Sequence, residues 1–242
     1  MARTDEHRLT RKDLRQPDEF QTLTRQALRF VEENRTAVMA VLGTLIVVLL
    51  AIVAYRMISQ SREASAATAY TEARALLSDK KYGEAAVRFD DVAIRYSGTS
   101  YGPLALLERG NALILADQAA DAATVYERFL QGAPPTNYLR QLAYTRLGYA
   151  QEKLGKAAEA QRSFGTAAAE PGPFGAEALF GAARNAEIAG DAAKAKEMYA
   201  QLLEKHPTTD YRDIATTHLI SLGGTPPTKP SAVAAAPGSA PK

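Results

Sequence analysis

Residues 148–164 read GYAQEKLGKAAEAQRSF, and the spacing of three side chains in this stretch decides the fold. Gly148 is a small residue on one predicted helix. Ala160 lies on the next helix, after the turn, and Phe164 comes one helical turn after Ala160. The alanine–aromatic pair occurs four times after residue 60: Ala85 with Phe89, Ala122 with Tyr126, Ala160 with Phe164, and Ala195 with Tyr199. The alanines are 37, 38 and 35 residues apart (85 to 122, 122 to 160, 160 to 195), a period that predicts stacked helix–turn–helix units.

Close packing of two antiparallel helices explains why a small residue and an aromatic residue recur together. One helix must present a small side chain, and an aromatic residue one turn later fills the remaining space. On the preceding helix the small residues are Ala73, Gly110, Gly148 and Ala183. Three of the units are closed by Pro134, Pro171 and Pro207, since proline lacks the N–H that would continue a helix.

The same periodicity predicts an all-α fold in which about four helical hairpins stack into a solenoid. The hairpins are expected over residues 60–96, 101–131, 138–169 and 175–205, and a further helix over 210–222 caps the stack. Another helix is predicted over 17–34, with Phe20, Leu23, Ala27, Phe30 and Val31 along one face. It is either a run-in to the apolar segment that follows or a helix lying on a membrane surface or against a partner.

The repeated unit resembles the tetratricopeptide repeat family, with departures such as Ser97 in place of the usual proline and the lack of an opening tryptophan. In that family the first helix of each unit lines the inner, concave face, so the resemblance implies a protein-binding surface there. Alignment on the alanines places nine residues on this face: Tyr70, Arg74, Leu107, Asn111, Tyr149, Glu152, Phe180, Arg184 and Glu187. Aromatic side chains with isolated charges suit a protein-binding groove. The alternative is that several of them only pack against neighbouring helices.

An uncharged, strongly apolar run before the repeats indicates that this scaffold is attached to a membrane. Residues 37–55 read AVMAVLGTLIVVLLAIVAY, about 28 Å of helix at ~1.5 Å per residue, between Arg35 and Arg56. Core helices of this length that are apolar on every face are uncommon, so a membrane span is predicted over 36–56. The run follows a tail too long for a cleaved signal peptide, which favours an uncleaved signal anchor.

Basic residues set the expected orientation of the span. Near the membrane the count is even, with Arg25, Arg29 and Arg35 before the span and Arg56, Arg62 and Arg74 after it. The whole short tail also contains Arg3, Arg8, Arg11, Lys12 and Arg15. The tail therefore favours a cytoplasmic N-terminus, with the repeats outside the cytoplasm.

The composition excludes several classes of function. The 29 Lys and Arg nearly balance the 27 Asp and Glu without a run of five or six like charges, so nucleic-acid binding has no electrostatic support. Without cysteine there are no disulfides, thiolate metal sites or thiol nucleophiles. The histidines, His7, His206 and His218, have no partner at metal-ligand spacing. We therefore expect no catalytic residue, metal, cofactor or small-molecule substrate, and no enzyme activity.

The order of segments resembles the bacterial ancillary SecYEG-translocon subunit family. The likeness is carried by RFVEEN at 29–34, the span that ends at Tyr55, the Ala-rich helix through Ala69 and Tyr70, and YGPLAL at 101–106. The resemblance implies a single-pass inner-membrane protein whose periplasmic repeats meet newly exported chains and periplasmic chaperones.

Four segments are expected: a tail with its amphipathic helix over 1–35, a transmembrane helix over 36–56, a repeat domain over 57–222 and a disordered Pro/Ala-rich tail over 223–242. The leading hypothesis is a membrane-anchored interaction scaffold, a periplasmic adaptor or chaperone-recruiting subunit whose partners are other proteins and the lipid bilayer. The alternative is a structural subunit that stabilises another inner-membrane complex through its transmembrane helix and repeats. A cytosol-facing receptor of reversed topology is the third hypothesis.

Overall fold

The computed structural model describes residues 19–132 and 136–227, and every regular element in these ranges is an α-helix. The helices are α1 (Glu19–Glu33), α2 (Arg35–Ser78), α3 (Tyr82–Arg95), α4 (Tyr101–Leu115), α5 (Ala119–Gln131), α6 (Asn137–Lys153), α7 (Ala157–Ala169), α8 (Gly175–Ile188), α9 (Ala192–Lys205) and α10 (Arg212–Ser221). Pro17, Pro134, the tail before residue 17 and most of the tail expected over 223–242 lie outside the described residues. The chain divides into two units, Met1–Ser59 and Gln60–Lys242.

The first unit contains α1 and the apolar part of α2. An 18-residue window of α2 has a mean hydropathy of 3.0 with none of it buried, so α2 is long and apolar enough to cross a membrane. The N–H of Asn34 bonds the carbonyl of Phe30 at 3.0 Å, and the N–H of Val38 bonds that of Asn34 at 2.9 Å. Helical hydrogen bonding therefore passes through Asn34 from α1 into α2.

The length of α2 differs from the sequence-based expectation. We expected the apolar run and the first repeat helix as two segments, ending at 56 and beginning near 60, but α2 continues without interruption from Arg35 to Ser78. No proline occurs in this stretch, and Gly43 is its single glycine. Because nothing in the sequence breaks the backbone ladder, the helix persists.

The second unit confirms the predicted solenoid of four hairpins and a capping helix. The C-terminal part of α2 contacts α3 through Tyr70 and Phe89 and through Glu72 and Arg88. Further along, α4 pairs with α5, α6 with α7, and α8 with α9, while α10 packs on α9. The main contacts join helices that are consecutive in the chain or next but one. The stack is therefore held together step by step, as in other helical repeat domains.

The repeated alanines and aromatics form the core of each hairpin. Ala85, Ala122, Ala160 and Ala195 and the aromatics that follow them are all completely buried: Phe89, Tyr126, Phe164 and Tyr199. The two small-residue positions that are glycine lie directly against these rings. A Cβ on Gly110 would lie 2.5 Å from Tyr126 Cε1, and a Cβ on Gly148 would lie 2.7 Å from Phe164 Cδ2. Such distances are much shorter than a van der Waals contact. In both places the aromatic ring therefore occupies the space that a side chain on the glycine would need.

The turns inside the four hairpins share one geometry. Lys80, Asp117, Gly155 and Gly190 all adopt a positive φ, at 61°, 61°, 72° and 82°. The following N–H in each turn bonds a carbonyl five residues earlier: Lys81 to Leu76, Gln118 to Leu113, Lys156 to Gln151 and Asp191 to Ala186. This is the Schellman arrangement, which ends a helix with a left-handed residue. Every hairpin consequently reverses in the same way, and the first helices of successive units lie side by side.

Candidate functional site

The first helices of the second, third and fourth hairpins enclose a cleft of about 720 Å³. Its lining comes from α4, α6 and α8, with one residue from α5: Asn111, Ile114, Leu115, Tyr126, Arg146, Tyr149, Glu152, Lys153, Glu177 and Arg184. Leu115 is 55% exposed and presents an apolar surface next to charged and aromatic groups. We refer to these ten residues as the inner cleft.

Four of the nine residues placed on the inner face by the sequence line this cleft: Asn111, Tyr149, Glu152 and Arg184. The other five lie elsewhere. Leu107 and Phe180 are in the core at 4% and 8% exposure. Tyr70 packs against Phe89 and Tyr101, with ring centroids 5.5 Å and 5.4 Å away.

Arg74 and Glu187 are the remaining two predicted residues, and they differ in their surroundings. Arg74 is exposed on α2. Glu187 accepts hydrogen bonds that join the last hairpin to the capping helix, from the Tyr199 hydroxyl at 3.2 Å and with His218 Nδ1 at 2.8 Å. Glu187 therefore has a structural role at the end of the stack.

Hydrogen bonds hold the polar side chains of the inner cleft in place. The Tyr126 hydroxyl donates to Asn111 Oδ1 at 2.8 Å, and Asn111 Nδ2 donates to Glu108 at 3.2 Å. Across the next pair of helices, the Tyr149 hydroxyl donates to Glu177 Oε1 at 2.8 Å. Each bond joins different helices or different turns, so the cleft is shaped before any partner arrives.

An ion pair between α6 and α8 forms one wall of the inner cleft. Arg184 Nη2 donates to Glu152 Oε2 at 2.6 Å, and Asn185 Nδ2 donates to the same oxygen at 3.2 Å. The Arg184 guanidinium also lies over the Phe180 ring, with its carbon 5.6 Å from the ring centroid. The buried Phe180 ring therefore packs against the Arg184 guanidinium and helps to hold it in place.

The tyrosines of the cleft are kept neutral. Burial raises the pKa of Tyr126 well above its usual range, and the nearby Arg146 guanidinium acts in the opposite direction. Burial also raises the pKa of Tyr149, and the hydrogen bond to Glu177 adds to it. Both phenols therefore remain hydrogen-bond donors across the physiological pH range.

Sequence reasoning missed more than half of the lining of the inner cleft, above all Arg146. This residue stands two positions before Gly148, whereas the alignment considered positions one after the small residue, three before it or four after it. Arg146, Tyr149 and Lys153 follow one another at helical spacing along α6. That spacing is the signal that could have identified Arg146. Within the described ranges, no group of three His, Asp and Glu side chains is arranged to hold a metal ion.

Comparison with known proteins agrees with the class that this architecture defines, a helical repeat scaffold for protein–protein interaction. A family model described as tetratricopeptide repeat-like domain matches residues 29–177, more than half of the chain, and a tetratricopeptide repeat model matches residues 177–209. The chain belongs to the tetratricopeptide repeat-like domain family.

Solved structures share the fold at low sequence identity. A putative kinesin light chain with nearly identical TPR-like repeats from Podosopora anserina is 16% identical, covers 64% of this chain and 83% of its own, and has a TM-score of 0.52. A point variant of that protein gives a TM-score of 0.53 at the same identity and coverage. A MamA RS-1 double mutant is 17% identical, covers 65% of this chain and 92% of its own, and has a TM-score of 0.51. A search of the curated proteins finds no match.

Proposed function

We propose that this protein is a membrane-anchored scaffold that binds other proteins through the inner cleft of its repeat domain. In this proposal residues 1–35 are a tail with its amphipathic helix, 36–56 cross the bilayer, 57–222 form the binding domain and 223–242 are a disordered tail. The observation that carries the proposal is the unburied apolar window of α2 in the same chain as a tetratricopeptide repeat domain. The matching family model begins at residue 29 and so includes this apolar helix.

The exposed side chains of α2 support the membrane anchor energetically. Val41, Leu45, Val47, Leu49 and Leu50 are each about three-fifths exposed. Burying a large apolar side chain is worth about 1.5–3 kcal/mol, so leaving this whole window in water is strongly unfavourable. A bilayer covers all faces of such a helix at once, whereas a protein groove covers one face.

The proposed location is the bacterial inner membrane, with the N-terminus in the cytoplasm and the repeat domain in the periplasm. The support is the short basic tail before the span, because Lys and Arg are retained on the cytoplasmic side. The order of segments that resembles ancillary translocon subunits makes an adaptor or chaperone-recruiting role at the protein translocon the leading form of this proposal. Newly exported chains are then the expected clients of the inner cleft.

A structural subunit is the second candidate function, and the unburied α2 window favours it. In that case the membrane helix would hold the protein in another inner-membrane complex, and the inner cleft would not determine which proteins are recovered with it. The two candidates share the anchor and the fold. They differ in the part of the chain that selects partners.

Partner recovery from cross-linked membranes distinguishes the two candidates. Leu115→Asp combined with Arg184→Gln alters the inner cleft at an exposed apolar position and a cation while the core stays intact. The matched control combines Ile220→Asp with Arg162→Gln, also an exposed apolar residue and an exposed cation but outside the cleft. We expect the cleft variant to lose partners by quantitative mass spectrometry and the control to keep them, and circular dichroism melting of both variants distinguishes lost binding from lost stability, since Arg184→Gln also removes the ion pair with Glu152. If the cleft variant recovers every partner and exchange of 36–56 for an unrelated span loses them, the structural-subunit function holds instead.

A further inference from the structure

Among the residues that the structure describes, Arg146 differs from the other cations of the inner cleft in having no hydrogen-bond or ion-pair partner. Lys153 donates to Asp117 Oδ1 at 3.0 Å, and Arg184 donates to Glu152 at 2.6 Å. Arg146 has no hydrogen bond or ion pair among the described residues, and its Nε, like that of Arg184, is buried without an acceptor. A half-buried guanidinium with an N–H that has no acceptor is unfavourable. An acceptor supplied from outside would remove this cost.

The ion pairs of the inner cleft show which of its cations lacks a partner. Its cations are Arg146, Lys153 and Arg184, and its carboxylates are Glu152 and Glu177. Both carboxylates already accept hydrogen bonds from cleft residues, Glu152 from Arg184 and Glu177 from Tyr149. Lys153 is paired with Asp117 and Arg184 with Glu152, so among the described residues Arg146 is the cation of the inner cleft without an ion pair, and a single carboxylate would pair with it. A doubly charged group such as a phosphate would leave excess negative charge next to Glu152 and Glu177.

The geometry of the guanidinium and its surroundings favours a carboxylate attached to an apolar segment. The planar fork of arginine matches the two oxygens of a carboxylate. Ile114 and Leu115 line the same cleft, and Leu115 is largely exposed, so an apolar side chain next to the carboxylate has a surface to contact. The cleft volume of about 720 Å³ accommodates several side chains.

We propose that the inner cleft selects extended partner segments in which an acidic side chain binds Arg146 and a neighbouring apolar side chain covers Ile114 and Leu115. This rests on the proposed function, because it assumes that the inner cleft is the partner-binding surface. It adds the chemical class of the bound segment. Arg146 is then the residue that determines which segments are accepted.

Affinity selection from peptide libraries tests this proposal with the full chain in detergent micelles. Two capped heptapeptide libraries carry either Glu or Gln at the central position, with randomised flanking positions and an amidated end. A third has central Gln and a free terminal carboxylate. Equimolar mixtures are offered to the protein, and bound peptides are counted by mass spectrometry. We expect an enrichment of Glu over Gln of about tenfold or more, as for a charge-assisted hydrogen bond, and flanking positions enriched in apolar residues.

Three variants locate the selection at Arg146. Arg146→Gln should reduce the Glu-to-Gln ratio to about one, and Arg146→Lys should keep a smaller preference because it retains the charge without the fork. Arg162→Gln, on the exposed surface of α7, should leave the ratio unchanged. Circular dichroism melting of each variant excludes unfolding as the cause.

Several results overturn the inference. A ratio near one for the unaltered protein, or retention no greater than by empty micelles, contradicts selection of an acidic side chain. Preferential enrichment of the third library would mean that a chain end is bound instead. In each case the partner-recovery experiment with Leu115→Asp and Arg184→Gln still decides separately whether the inner cleft binds proteins at all.

Discussion

At the scale of single residues, two glycines make room for one aromatic ring. Phe164 of α7 lies between Gly148 of α6 and Gly181 of α8, and a Cβ on either glycine would lie less than 3 Å from the ring. The Phe164 ring therefore packs against two consecutive hairpins, in the space left by two residues that have no side chain. Tyr149 then packs edge-on to the same ring at 4.9 Å, which links this core contact to the wall of the inner cleft.

The contrast between two helical glycines tests this packing. We expect Gly148→Ala to lower the free energy of unfolding by about 1–3 kcal/mol, because the added methyl group would lie 2.7 Å from Phe164 and overpack the core. Gly165→Ala should instead raise it by about 0.5–1 kcal/mol, because its methyl would lie 3.9 Å from Met198 and the helix gains propensity. Urea titrations followed by circular dichroism measure both. Equal free energies of unfolding of the two variants would contradict the close packing of Phe164 on Gly148.

At the scale of helices and turns, the periodic features of the fold were predictable and the long-range polar contacts were not. The hairpin bounds follow from the alanine–aromatic period, since each helix must repeat its small residue to pack on the next. Gln141 carries no such signal. Its side chain is fully buried, and it bonds main-chain groups that are far away in the sequence and have no recognisable residue type. Arg146 was missed for a related reason, because the sequence pattern does not record that its side chain has no hydrogen-bond or ion-pair partner among the described residues.

Gln141 ties the third hairpin to the start of the fourth. Its Nε2 donates to the carbonyls of Ala167 and Glu170 at 3.1 Å and 2.9 Å, and its Oε1 accepts from the Phe174 N–H at 3.0 Å. The connection between α7 and α8 is thus held by one amide group. A Cβ on Gly172 would collide with this amide, which explains a glycine in the middle of the loop.

Removing that amide should loosen the connection locally and destabilise the domain. We expect Gln141→Leu to cost about 1–3 kcal/mol for each buried group left without a partner. Hydrogen exchange of the Phe174 amide should accelerate strongly, because its acceptor is lost. Gln201→Leu is the matched control, since Gln201 is less buried and its amide bonds a side chain, Glu197, on its own helix. Unchanged exchange at Phe174 in Gln141→Leu would show that the loop is held by other contacts.

At the scale of the whole molecule, the chain combines an unburied apolar helix with a repeat domain that has its own core. The inner cleft lies within the second unit, Gln60–Lys242, and all its lining residues come from α4, α5, α6 and α8. The proposed anchor and the proposed binding surface therefore lie in different parts of the sequence, and separate substitutions can test them.

Reporter fusions test the proposed orientation of the membrane helix. A phosphatase that is active only in the periplasm should be active when fused after Leu222 and inactive when fused before Arg35. In the proposed orientation the basic tail stays in the cytoplasm while the repeat domain crosses the membrane. Whole-cell phosphatase activity, normalised to the amount of fusion protein, measures the result. Activity found only with the fusion before Arg35 would reverse the orientation and favour the cytosol-facing receptor.

The step-by-step contacts between consecutive helices have a consequence for biogenesis. A hairpin of this domain needs only the helices on either side of it, so it can fold without waiting for the C-terminal end of the chain. In the proposed orientation, the hairpins that follow α2 emerge one after another on the far side of the membrane. A folded hairpin is wider than an extended chain, so in this orientation we expect the stepwise folding of the solenoid to oppose backward movement of the chain during export.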